Sequence, residues 1–180
     1  GVKASVPAAV SSSIVELNIP DTYNGKQVTQ ILDNAFDDLY FLKKVTIPFS
    51  INKIGADAFT NCSVSYVMFT GSLQNWCEID FANLGASPCC NSAVLFLEGG
   101  TKVEQLSANI FTTNSVTSIP AYAFAGCNSI KEVAIPDGVT TIGAYAFYNS
   151  SIENVTLSLA WRENFAYKDY DCNGNKKKTS

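Results

Sequence analysis

The 180-residue sequence contains no histidine, one methionine and two tryptophans, and only 16% of it is charged, against roughly a quarter in ordinary globular domains. Without histidine the commonest general base near neutral pH is missing, together with every Ser-His or Cys-His nucleophile and the most usual zinc ligand. A net charge of −4 excludes general nucleic-acid binding, which depends on Lys and Arg neutralising phosphates. No apolar run approaches the roughly 18 residues needed to cross a membrane, and no basic start leads into an apolar stretch as in a signal peptide. What is present is an ordinary hydrophobic share, 47%, with 47 Ser, Thr and Asn residues that outnumber the 28 charged ones. Small neutral groups therefore supply the polar surface, a composition that leans towards β-rich exported proteins. The length suits one domain. Charge is uneven: residues 1–160 carry 7 basic and 13 acidic side chains, and residues 161–180 carry 5 and 3, which marks the end of the chain as a separate segment.

Internal periodicity is the strongest signal. An Ala-Phe pair recurs at Ala35-Phe36, Ala58-Phe59, Ala123-Phe124 and Ala146-Phe147, with separations of 23, 65 and 23 residues. Each pair has a β-branched residue seven positions before its Ala and an Ile four before it. Downstream, apolar triplets recur as Leu42-Val45-Ile47, Val64-Val67-Phe69, Ile130-Val133-Ile135 and Ile152-Val155-Leu157, with Ile14-Leu17-Ile19 ahead of them. Their last step alternates with period two, as in a strand with one buried face. Pro20, Pro48 and Pro136 then end three of the strands, since Pro cannot donate to a ladder. A unit this short cannot bury its own apolar face; stacking neighbours does so, which predicts a solenoid with a Val/Ile/Phe ladder inside and short parallel strands on one side.

The string V-T-x-I-x-x-x-A-F-x-x-C-x-x-I-x-x-V-x-I-P at residues 116–136 resembles the BspA-like leucine-rich repeat of bacterial and protozoan surface proteins. The resemblance covers residues 14–160. It extends to the enlarged unit, whose Trp76, Ile79-Asp80-Phe81 step, Ser-Pro turn and Gly-closed hairpin are similar to an atypical insert of that family; Cys89-Cys90 stand where an apolar pair is expected and Asn109 near the place of a strand-ending Pro. The fold expected is a β-rich solenoid, a right-handed leucine-rich-repeat stack of 22–23-residue coils with short parallel strands and 3₁₀ or extended returns. Residues 1–160 form the solenoid: an N-terminal strand or cap (1–27), two regular repeats (28–72), an enlarged irregular repeat with a hairpin (73–115) and two further regular repeats (116–160). Residues 161–180 are a polar basic tail. The resemblance implies a non-catalytic, extracellular or cell-surface recognition or adhesion domain that binds a partner protein, with a structural spacer or stalk as the alternative reading and a carboxylate-based glycan-active enzyme as a third. No cofactor and no metal is expected, and self-association is an open option.

Strand alternation assigns the outward side chains. These are Lys44 and Thr46, Tyr66 and Met68, Val94 and Phe96, Glu132 and Ala134, Asn154 and Thr156. The candidate contact residues are Tyr66, Met68, Val94 and Phe96 at the centre, with Lys44, Thr46, Glu132 and Thr156 as a polar rim. Contiguous apolar groups on a strand surface mark an interaction site, unless the enlarged unit folds over them as ordinary core. The segment from Val94 to Leu106 reads as a hairpin about Gly99-Gly100.

Other patterns carry less. Cys62 and Cys127 occupy equivalent repeat positions and read as buried free thiols, while Cys77 has the option of pairing with Cys89 or Cys90 inside the insert. Asp169-x-Asp171-x-Asn173-Gly174 opens like a calcium loop, but Ser180 stands where the closing Glu belongs, so a polar turn is the simpler reading. Glu78 and Asp80 lie two apart and could share one strand face, the kind of pair used in glycoside chemistry, which needs a second carboxylate across a cleft. Asn61, Asn149 and Asn154 lie in N-glycosylation triplets.

Overall fold

The computed structural model describes residues 2–4 and 15–164. The Asp169–Gly174 pattern and Cys172 lie outside the described residues. Each regular coil contributes a four-residue strand and a second strand, two residues long except in the first coil, where it has six, and both kinds stack in parallel register. The longer strands β2 (Glu16–Asn18), β5 (Lys44–Ile47), β7 (Tyr66–Phe69) and β9 (Val94–Leu97) form one ladder; β1 (Val2–Ala4), β4 (Lys26–Ile31), β6 (Lys53–Ile54) and β8 (Asp80–Phe81) form the other. β3 (Thr22–Tyr23) adds a hairpin to β4 through Asn24 and Gly25, both at positive φ (51° and 71°), as a two-residue turn matched to strand twist requires. β10 (Thr101–Lys102) runs antiparallel to β9 and ends the first ladder, after which β11 (Gln105–Leu106), β13 (Glu132–Ile135) and β15 (Asn154–Leu157) begin a new one, backed by β12 (Ser118–Ile119) and β14 (Thr141–Ile142). Short helices α1 (Leu73–Trp76), α2 (Ala108–Thr113) and α3 (Leu159–Asn164) interrupt the strands.

The repeat lines of the sequence become rungs of one core. Val45, Val67, Leu95 and Val133 are fully or almost fully buried, as are Phe36, Phe59 and Phe124 of the Ala-Phe pairs. The turn around each pair reverses the chain by placing two residues in the left-handed region. The residue before the Ala (Asn34, Asp57, Tyr122, Tyr145) and the residue three after it (Asp38, Asn61, Gly126, Asn149) all have φ between 51° and 74°. Asn, Asp and Gly tolerate that conformation best, so the Asn-rich, charge-poor composition is in part a demand of the turns.

The turns also stack through their backbones. In the first pair of regular coils, Asn34, Phe36 and Asp38 donate to the carbonyls of Ala56, Ala58 and Thr60 at 2.9–3.1 Å. In the last pair, Tyr122, Phe124 and Gly126 donate to Ala144, Ala146 and Tyr148 at 2.7–3.2 Å. Between the enlarged coil and the next, side chains take over. The buried Trp76 indole donates to Ala123 O at 3.0 Å and the buried Ser87 hydroxyl to Ala125 O at 3.1 Å. Trp76 is held in place by Phe69 and Phe81, with ring centroids at 5.2 and 5.4 Å.

Candidate functional site

Two rows of outward side chains cross the first ladder. One runs Glu16, Lys44, Tyr66, Val94; the other Asn18, Thr46, Met68, Phe96, Lys102. Tyr66, Met68, Val94 and Phe96 are thus direct neighbours, with the Tyr66 and Phe96 rings 6.4 Å apart. The enlarged coil does not fold over them: its hairpin extends the sheet sideways, leaving Tyr66 49% exposed and the other three half-buried. Ion pairs stand on both flanks, Lys44–Glu16 at 3.2 Å and Lys102–Glu104 at 2.7 Å. The apolar centre thus has a charged, solvated border.

The structure separates two of the expected rim residues from this patch. Glu132 and Thr156 sit on β13 and β15, in the second ladder, because the antiparallel β10 closes the first sheet and the rung count restarts at β11. Their ladder is mostly polar on its outer face, carrying Gln105, Glu132, Asn154 and Thr156 beside Ala134. Between the two sheets runs a groove lined by Val94, Lys102, Gln105, Asn128, Lys131 and Glu132 among others.

A second aromatic surface was not singled out by strand alternation. Tyr122 and Tyr145 stack face to face at 5.7 Å, and Tyr148 meets Tyr145 edge-on at 5.7 Å. Tyr145 and Tyr148 are exposed. These residues lie on the Ala-Phe turns, not on strands; the signal was the Tyr-Ala-Phe triplet in both C-terminal lines, where the earlier coils have Asn or Asp before Ala.

The acids proposed for glycoside chemistry have other partners. Glu78 accepts from Gln74 Nε2 at 3.1 Å, and Asp80 pairs with Lys53 at 3.9 Å. Among the described residues no group of three or more Cys, Asp or Glu side chains could hold a metal ion, and no helix is long and apolar enough to cross a membrane. Cys62, Cys77, Cys89, Cys90 and Cys127 are free thiols. Burial pushes Cys62 and Cys77 up to about 12 and Cys90 to about 11, so in the folded chain these are packing groups rather than nucleophiles. Cys62 Sγ donates to Phe36 O at 3.0 Å, in keeping with its reading as a buried thiol. Cys89 is completely buried in the core, and hydrogen bonding to Cys127, together with burial, raises its pKa.

Among solved structures, a leucine-rich repeat protein of T. pallidum superposes with a TM-score of 0.50 at 20% identity, over 79% of this chain and 58% of that one. A leucine-rich cell surface protein of Faecalibacterium prausnitzii gives a TM-score of 0.47 at 28% identity, over 80% of this chain and 36% of that one. The chain therefore spans little more than half the length of the first and about a third of the second. Among curated proteins none matches. The BspA type leucine-rich repeat region matches residues 9–86 and 102–175 in six copies, and with its paired parallel ladders and stacked Ala-Phe turns the chain belongs to that repeat family.

Proposed function

We propose that this chain is a non-catalytic recognition domain of a cell-surface or secreted protein, and that it binds a partner protein through the strand face of its first ladder. The observation that carries the reading is the contiguous Tyr66–Phe96–Met68–Val94 patch, held on a rigid sheet between two exposed ion pairs. Rigidity matters because side chains already fixed on a sheet lose little entropy on association. Lys44 and Thr46 form the adjoining polar rim; Glu132 and Thr156 extend it onto the second ladder for a partner large enough to cross the groove. The test is capture of host or matrix proteins by the intact chain, in parallel with a Tyr66→Ala/Phe96→Ala variant. The reading expects a partner retained by the wild type and lost by the variant while the thermal transition stays in place. Equal retention by both would remove the site.

A second reading, a spacer or stalk segment of a larger surface protein, is favoured by the last rung. Val155 is 61% exposed, where the equivalent Val45, Val67 and Val133 are at most 3%, so β15 offers an edge on which another coil could stack. Concentration-dependent self-association abolished by a charge at Val155 supports this reading, and a monomer at all concentrations speaks against self-stacking.

A further inference from the structure

We propose that Cys89 and Cys127 form a disulfide when the chain folds in the presence of a small-molecule disulfide, stapling the enlarged coil to the coil that follows. Both side chains are completely buried in one core, and the backbone of residues 126–128 runs directly against that of residues 89–93. The backbones that carry them are clamped on both sides of that contact. Gly126 lies so close that a Cβ there would stand 2.2 Å from Cys89 O and 2.7 Å from Cys90 Cα, and Asn128 N donates to Ala93 O at 2.9 Å. Of the other described thiols, Cys62 and Cys90 lie near enough to influence each other, but their hydrogen bonds run to different carbonyls, those of Phe36 and Phe59. Cys77 lies beside Glu78 and Ser115 on a separate wall.

The reaction is ordinary thiol–disulfide exchange. One cysteine, as thiolate, attacks a disulfide R–S–S–R, breaking its S–S bond and releasing one R–S⁻, which takes up the proton. The second cysteine then attacks the mixed disulfide, forming Cys89–Cys127 and releasing a second R–SH. Two electrons pass from the protein thiols to the small disulfide, which leaves as two thiols. Complete burial places this step before the junction closes, or during its local opening. The location is apt because this is the junction where Trp76 and Ser87 replace the backbone ladder. The cross-link closes a loop of about 38 residues, long enough for a substantial loss of unfolded-state entropy.

The test needs no partner and is independent of the strand-face reading. The reduced, denatured chain is refolded in a reduced/oxidised glutathione mixture, free thiols are alkylated, and chymotryptic peptides are mapped by mass spectrometry. The expected result is a reductant-sensitive link between the Cys127 peptide and the peptide carrying Cys89 and Cys90, kept in Cys90→Ala and lost in Cys89→Ala. A melting temperature about 10 °C above that of the reduced chain is expected with it. A folded, oxidised chain in which Cys127 is fully alkylated, or is joined to Cys62, Cys77 or Cys90, would overturn the proposal.

Discussion

The junction between the first two regular coils and the junction after the enlarged coil do the same job with different parts. At the first, three backbone N–H groups meet three carbonyls, and any sequence that keeps the turn conformation keeps the bonds. At the second, an indole and a serine hydroxyl occupy two of those donor positions. Backbone ladders are indifferent to side-chain identity; side-chain replacements are not. Sensitivity to mutation should therefore concentrate at the enlarged coil, although both junctions bury similar Val, Ile and Phe rungs.

Trp76 gives the largest expected difference. Trp76→Ala removes a fully buried ring and leaves Ala123 O without its donor, a cost of about 4 kcal/mol in chemical unfolding. Trp76→Phe keeps most of the ring and should cost about 1–3 kcal/mol, mainly for the orphaned carbonyl. If Trp76→Phe is as stable as the wild type, the indole bond is not part of what holds the junction.

Gly126 sharpens the comparison at the level of the turn. It has φ of 74°, and a Cβ would meet Cys89 O at 2.2 Å. Gly126→Ala should cost roughly 2–4 kcal/mol through strain and displaced backbone. Asn149 holds the equivalent position in the last coil with φ of 51°, and Asn149→Gly should change stability by less than about 0.5 kcal/mol. Equal, small effects at both positions would mean that the enlarged coil is not pressed against its neighbour there.

Much of this was legible in the sequence because the periodicity is a packing constraint. The Ala-Phe pairs and the apolar triplets predicted the stacked coils, and the strand alternation around Tyr66, Met68, Val94 and Phe96 placed them side by side as the structure has them. What escaped was set by contacts distant in sequence. The rim residues Glu132 and Thr156 moved to another sheet because a hairpin of two paired rungs ends the first ladder, and alternation within a strand does not say where a ladder stops. The approach of the Gly126 backbone to Cys89 and Cys90 could not be read from spacing, since the two segments belong to different coils. The tyrosine cluster lay outside strand alternation because its members sit on the Ala-Phe turns rather than on strands.

Two valines at the same rung position give the smallest contrast. Val67 is completely buried and Val155 is 61% exposed. Val67→Ala should cost about 2 kcal/mol and Val155→Ala less than about 0.5 kcal/mol. A large cost at Val155 would mean that the last rung is covered in solution.

The central claim is that partner binding uses the first ladder and not the exposed Tyr145–Tyr148 surface. The direct measurement is the affinity of the captured partner for Tyr66→Ala/Phe96→Ala and for Tyr145→Ala/Tyr148→Ala, each shown to be folded by its thermal transition. The account predicts at least a hundredfold loss, about 2.7 kcal/mol or more, for the first variant and little change for the second. The reverse pattern would contradict it and assign recognition to the turn face.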